Sequence, residues 1–457
     1  MSIRRNVRPQ GPAPLGPRRI AARALLALAE DPDARLDAVL DLDDLPARDR
    51  GLAATIARGV VRRQGFLDHV LAGHCDRGLP DDPRMRIPLR IGAFQLMFLE
   101  RVPPHAAVDE SVALSGPRQR GFINAVLRRV AASVQDRPAD PARPRDEVAL
   151  GEGRSIRLAA PIPDPGTDPA GALALVHGLP EFLVARWIDD AGVARARARA
   201  AAADGTPGVT FRPVGISASE LAERLAAAGV ETAPSEHPHL LSWVQGSGSP
   251  FRSAPFEEGL FVVQDPTAFR AAQALDAQAG ETILDLCAAP GTKATWLAEA
   301  VGKTGRVLAH DIDVTRRQRI AENAARLRMP WLEVCESVES LAGPIDRVLV
   351  DVPCSNTGVL ARRVEVRHRL EASAFERLPD LQTDLLLQGL ALVRPGGTVV
   401  YSTCSIEPDE NQDVVAAALA ARGEAVELVT ETLTEPDPPR HDGGYLAVLR
   451  VRPEARN

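Results

Sequence analysis

Lysine is nearly missing from this chain. Its 54 basic residues are 52 Arg and only Lys293 and Lys303. Alanine is abundant too, so a coding bias accounts for the arginine, whose number alone carries no functional message. Cysteine is scarce: Cys75, Cys287, Cys335, Cys354 and Cys404 make no CxxC pair and none of the spacings of a zinc site. A disulfide framework and a structural metal are both argued against. No apolar run approaches the roughly 20 residues of a spanning helix. The richest stretches, 282–286 and 347–352, are strand-sized, so no membrane partner is expected. The opening Met1-Ser2-Ile3-Arg4-Arg5 lacks the apolar segment of a secretory signal. A reducing cytoplasm is the expected location, and a monomer the expected state.

What is present is length, uneven charge and alternating periodicity. At roughly 100 to 200 residues per domain, 457 residues imply several domains. Net charge is −7, yet residues 1–135 hold 21 Arg against 15 acidic residues, or +6, which leaves −13 for the remainder. A basic segment in an acidic chain hints at a nucleic-acid-facing module. Residues 1–17, rich in Pro and Gly, read as a disordered leader. Residues 18–133 read as an all-helical domain: Ile20, Ala24, Ala27 and Leu28, then Leu52, Ile56 and Val60, recur at helix spacing. Residues 134–170, rich in Pro, Asp and Arg, read as a linker with at most short extended pieces. Residues 171–257 suggest a small α+β domain. From 258 to 457 strands alternate with helix-length segments, which predicts a parallel, doubly wound α/β sheet.

The first strand of that sheet runs into Cys287-Ala288-Ala289-Pro290-Gly291-Thr292-Lys293. Small residues at a strand-to-helix turn let a ligand approach the backbone, at the carboxyl edge where doubly wound sheets bind. Asp311 closes the next strand, 20 residues after Gly291, the offset of a carboxylate that accepts from ribose hydroxyls. The turn is not GxGxxG. Nor is Gly302-Lys303-Thr304 a P-loop, because Leu297 stands where a Gly is required. A positively charged, phosphate-free nucleoside such as S-adenosylmethionine suits acidic strand ends; a plain structural turn is the alternative from this segment alone.

Two further strands end at Asp351-Val352-Pro353-Cys354 and at Ser402-Thr403-Cys404, so both cysteines emerge at the edge that carries the cofactor turn. A lone Cys is usually a small buried hydrophobe. A pair here, one member beside Asp351, suits covalent catalysis on a pyrimidine. Carbon 5 of cytosine is a weak nucleophile until a thiolate adds at carbon 6, after which it can attack a sulfonium methyl group. A carboxyl near ring nitrogen 3 and a base for the carbon 5 proton complete the parts that route needs.

These residues resemble the Sun-type (Fmu-type) RNA cytosine-5 methyltransferases, and within them the RsmB-type subgroup acting on small-subunit ribosomal RNA. The resemblance rests on Val263-Gln264-Asp265-Pro266, the Asp285 to Lys293 turn, Asp351 through Gly358, and Arg394-Pro395-Gly396-Gly397 with Ser402 through Asn411. The N-terminal region resembles a NusB-type RNA-binding domain through Leu89 to Leu96, Val102 to Glu110 and Gly121 to Arg129. The resemblance implies a Rossmann-like class I methyltransferase domain behind a NusB-like domain, with S-adenosylmethionine as cofactor and ribosomal RNA as partner. It implies Cys404 as nucleophile, Cys354 in breakdown of the covalent adduct, and Asp351 on the target cytosine. Cys287, Ala288, Ala289, Pro290, Gly291, Thr292, Lys293, Asp311, Glu336 and Asp351 would line the cofactor. Three places depart from the family pattern. Arg363-Val364 stands where His-Pro is usual, Asp442 to Leu446 replaces an aromatic pair, and Phe211 to Val214 lacks the usual Asn. The rival readings are the same chemistry on transfer RNA or another ribosomal cytosine, and a non-catalytic RNA-binding assembly factor.

Overall fold

The computed structural model describes residues 16–31, 33–43, 45–338, 341 and 343–453. The expected leader lies outside these residues apart from Gly16 and Pro17, and Pro17 already opens the first helix. The chain divides into two compact units, one reaching residue 193 and including 367–369, the other formed by 194–366 and the chain from 370. Among the described residues no helix is long and apolar enough to cross a membrane.

The first unit begins with seven helices: α1 Pro17–Glu30, α2 Leu36–Val39, α3 Ala47–Arg62, α4 Gln64–Ala72, α5 Pro83–Phe98, α6 Pro104–Val112 and α7 Arg120–Ser133. Proline at the start of α1, α5 and α6 suits a position whose N–H has no helical partner. Helix α5 is buried continuously from Ile87 to Met97, as a central helix must be. Its polar members are satisfied inside the bundle. Arg90 donates to both carboxylate oxygens of Asp68 at 2.7 and 2.6 Å, and Gln95 bonds Arg18 and Ser111 at 2.7 and 3.2 Å. The stretch expected as a linker carries a three-stranded antiparallel sheet, β1 Val134–Gln135, β2 Glu147–Gly151 and β3 Arg154–Arg157, in the order β1-β3-β2. Strands this short show no periodicity. Across this segment Arg137 forks onto buried Glu147 at 3.0 and 2.8 Å. Helices α8 Pro169–His177 and α9 Glu181–Asp204 follow, and α9 breaks at Gly192 (φ 78°, ψ 164°), next to where the units divide.

The second unit contains a small antiparallel sheet, order β5-β6-β4-β7, built from β4 Thr210–Pro213, β5 Thr232–Pro234, β6 Leu241–Trp243 and β7 Phe261–Val263, with α10 Ala218–Ala227 and α11 Ala254–Glu257. Phe211, Leu221, Leu225 and Phe261 form its core. Since β7 pairs with β4, the boundary expected at 257/258 falls within this sheet. The remainder is α12 Pro266–Ala274, β8 Thr282–Asp285, α13 Thr292–Val301, β9 Arg306–Ala309, α14 Val314–Arg326, β10 Leu332–Val334, β11 Ile345–Asp351, α15 Ala374–Leu392, β12 Val393–Thr403, α16 Gln412–Arg422, β13 Val426–Thr434 and β14 Gly444–Val451.

These strands make one seven-stranded sheet in the order β10-β9-β8-β11-β12-β14-β13. The doubly wound sheet is mixed rather than parallel throughout. The strands from β10 through β12 are parallel, but β14 pairs antiparallel with β12 and with β13. Strand β13 forms one edge, and its middle is exposed, with polar Thr430, Glu431 and Thr432 following Leu428 and Val429, so it offers no continuous apolar run to read. The parallel strands are covered on both faces, which explains why they read as unbroken apolar text. Ile283, Leu349 and Val400 face one layer with Leu297, Val301 and Ile320. Their neighbours Leu284, Val348, Val350, Val399 and Tyr401 face the other with Leu386, Leu390 and Val414, as the two-residue period of a strand requires.

Candidate active site

Parallel register brings four strand ends to one edge. Asp285 lies level with Ala309 of β9 and Leu349 of β11, and Asp351 lies level with Ser402 of β12. The side chains that follow these positions therefore converge. The turn after β8 is tied to β9 by Ala288 N–H donating to His310 O at 2.7 Å and Ala289 N–H to Asp311 Oδ2 at 3.2 Å. Gly291 adopts φ 98°, a conformation that favours glycine, and serves as N-cap of α13 without a side-chain acceptor. Asp311 also accepts from Asp313 N–H at 3.1 Å, and Ile312 between them is 89% exposed.

Lys293, the second residue of α13, reaches across the edge. Its Nζ donates to Asp351 Oδ2 at 2.6 Å, while Ser402 Oγ donates to Asp351 Oδ1 at 2.7 Å. Burial works to lower the Lys293 pKa, but the neighbouring carboxylates outweigh it and the net direction is upward. Asp285 is fully buried, and neither of its carboxylate oxygens has a hydrogen-bond partner. Burial first, and the charge of Asp351 second, push its pKa up to about 8.

The two cysteines meet. Cys354 Sγ and Cys404 Sγ are 3.1 Å apart, both free thiols, and Asn356 Oδ1 lies 3.3 Å from Cys404 Sγ. The hydrogen bond between them splits their acidities. It raises Cys354, already disfavoured as a thiolate by burial. It lowers Cys404, against burial and Asp351 and with help from Arg363 and Lys293. Within the pair the thiolate, the reactive form of the group, is therefore favoured on Cys404 rather than on Cys354. Cys287, by contrast, is pushed far upward by burial and then by Asp285, which disfavours its thiolate.

A buried polar cluster that sequence reasoning assigned no role holds both cysteine loops. Glu410 is fully buried. One oxygen accepts from Ser355 N–H at 2.8 Å and Gln382 Nε2 at 3.0 Å, the other from Ser405 Oγ at 3.1 Å. Asn411 accepts from Thr403 Oγ1 at 2.7 Å and donates to Ser405 O at 3.1 Å. Ser355 and Ser405 follow Cys354 and Cys404 directly, and their hydroxyls are 3.1 Å apart. Gly358 N–H donates to Cys404 O at 3.0 Å. The signal was in the text, as a Glu and an Asn shortly after Cys404, but nothing along the chain shows that Gln382 completes the cluster.

Glu336, expected at the cofactor, and several other motif residues lie apart from the cysteines. Glu336 is exposed just beyond β10, with its carbonyl accepting from Arg317 Nη1 at 2.7 Å. Arg212 is structural: at 1% exposure it bonds Gln264, Glu299 and Thr295 at 2.8, 2.6 and 2.9 Å. Asp265, Arg362 and Asp442, from three distant motifs, converge as Arg362 pairs with Asp442 at 2.7 Å and Asp265 at 3.2 Å.

Residues 272–457 match the family model described as 16S rRNA methyltransferase RsmB/F, and residues 16–132 match that of the NusB family. The chain is 31% identical to the ribosomal RNA small subunit methyltransferase B of Pseudomonas putida, over 95% of this chain and 98% of that protein. It is also 31% identical to the protein of the same name from Vibrio cholerae, over 88% and 89%. Among solved structures it is similar to a methyltransferase homolog protein from Pyrococcus horikoshii, 26% identical with a TM-score of 0.56, covering 63% of this chain and 100% of that one.

Proposed function

The chain belongs to the 16S rRNA methyltransferase RsmB/F family, and from that premise we propose that it methylates carbon 5 of a cytosine in small-subunit ribosomal RNA through a covalent adduct on Cys404. The observation that carries this reading is the 3.1 Å approach of two thiols at the sheet edge, beside the Lys293–Asp351 pair.

The residues present suit S-adenosylmethionine. Asp285 offers a buried, unpartnered carboxyl, Asp351 and Asp311 add negative charge beside it, and the glycine turn and exposed Ile312 leave backbone and apolar surface open. Cys287 through Lys293, Asp311 and Asp351 would hold it, with Glu336 at its outer margin. When bound, the cofactor supplies an electrophilic methyl carbon. The chain's own residues do the rest. Cys404 Sγ bonds to carbon 6 of the cytosine, and the electron pair displaced from the ring double bond makes carbon 5 nucleophilic. The Lys293–Asp351 pair holds the polar edge of the base. After transfer, the proton on carbon 5 leaves to a base, the double bond reforms, and Cys404 departs as thiolate. Cys354, in contact with Cys404, assists that release.

A cytosine must leave its stack to reach this edge, as in other enzymes that act on a base. The NusB-family segment and the small α+β elements would grip the flanking RNA through arginine contacts to phosphate, with binding that weakens in salt. We place the reaction in the cytoplasm, with the protein acting as a monomer.

Bisulfite sequencing of ribosomal RNA from a deletion strain, complemented with variant chains, tests this. A single 5-methylcytosine in 16S rRNA should vanish on deletion, return with the wild-type chain and stay absent with Cys404→Ala. Cys354→Ala should accumulate an RNA adduct that survives denaturing gels. A mark lost only from transfer RNA or 23S rRNA, or no mark lost, would sink the proposal.

A further inference from the structure

Asn356 follows the Cys354 loop in the left-handed region, at φ 64°. This turns its side chain back between the two cysteines. Its Nδ2 donates to Cys354 O at 2.7 Å, and its Oδ1 accepts from Arg363 Nη1 at 2.7 Å and from Cys404 Sγ at 3.3 Å. The orientation of the amide is fixed, because a flip would set its oxygen against the Cys354 carbonyl and its NH2 against the guanidinium. One side chain therefore touches both cysteine segments. It also carries the Arg363 cation to within about 6 Å of the Cys404 sulfur.

Building on the proposed cytosine chemistry, we propose that Asn356 and Arg363 are a positioning pair for Cys404: the amide fixes the sulfur beside Cys354, and the guanidinium supplies positive charge facing it. The other charged or titratable groups acting on this sulfur are Cys354, Asp351 and Lys293. Lys293 is committed to Asp351 at 2.6 Å, so its charge is largely balanced. Arg363 makes its hydrogen bond to a neutral amide and retains its full charge. Because Arg363 is exposed, solvent screens it, and at about 6 Å a screened unit charge is worth roughly half to one pH unit on a neighbouring thiol.

The test uses the full chain without RNA or methyl donor. Alkylation of Cys404 by iodoacetamide is followed across pH, with the modified peptide quantified by mass spectrometry. Arg363→Gln should move the midpoint up by about half to one pH unit, and Arg363→Lys, which keeps the charge, should bring it back. In turnover on an RNA fragment, kcat of Arg363→Gln at neutral pH should fall several-fold and recover at alkaline pH, with KM little changed. An unmoved midpoint, a Lys variant that behaves like Gln, or a loss confined to KM would overturn the pair's role. The last pattern would mark Arg363 as a phosphate contact. A wild-type chain that makes no 5-methylcytosine would instead remove the proposed function, and the alkylation result would stand apart from it.

Discussion

Replacing Asp285 by Asn probes the electrostatics of the cofactor edge, because this carboxyl is fully buried, lacks a partner and has its pKa pushed up to about 8 from 3.8 by burial and then by Asp351. The sign follows from proton linkage. Below pH 3.8 the folded and unfolded chains both hold the proton and nothing is lost. As pH rises, the unfolded chain releases its proton while the folded one keeps it, at about 1.4 kcal/mol per pH unit. The penalty is roughly 4 kcal/mol at pH 7 and levels near 6 kcal/mol above pH 8. An Asn side chain cannot ionise, so the variant escapes this slope. The difference in melting temperature, variant minus wild type, should widen by about 10 °C between pH 5 and pH 8 for a unit of this size. Calorimetry of the full chain over that range measures it. Calorimetric titration with S-adenosylmethionine in buffers of different ionisation heat supplies the second readout: cation binding should expel a proton from wild type and none from Asp285→Asn. Parallel stability curves, or equal proton release, would refute the reasoning, since either would mean that Asp285 is already ionised and stabilised in the free protein.

The pairing of Arg212 and Glu299 should respond asymmetrically. Arg212 is 1% exposed and its carboxylate partner 29%, so Glu299→Ala strands a buried charge and should cost about 3 kcal/mol, whereas Arg212→Met, which removes that charge and keeps the volume, should cost about 1 kcal/mol in urea unfolding. Gly358→Ala puts a Cβ 2.6 Å from the Gly443 carbonyl carbon and 2.9 Å from Cys404 O, all backbone, so the Cys404 loop must shift. A loss of about 1 to 3 kcal/mol with a larger drop in kcat than in KM is expected, and wild-type kinetics would contradict the close approach.

How much of this was legible along the chain depends on the range of the physics involved. The parallel strands are buried on both faces, so their apolar runs announced them; β13 is a half-exposed edge and β1 to β3 are only 2 to 5 residues long, and neither offers a period to read. The cysteines were found because strand ends in a parallel sheet share an edge, which is a consequence of topology alone. What topology does not encode is a partner drawn from a helix face. Gln382 reaches Glu410 from within α15, and nothing in the run from 374 to 392 marks it as different from a solvated residue. Arg212 illustrates the converse. Its motif is recognisable along the chain but its partners are not: Glu299 and Thr295, both on α13, spend its donors inside the fold. The same logic separates Arg363 from the many other arginines of the chain: it is set apart by the Asn356 oxygen between its guanidinium and a reactive sulfur, a relation that exists only once a left-handed residue has turned the loop back.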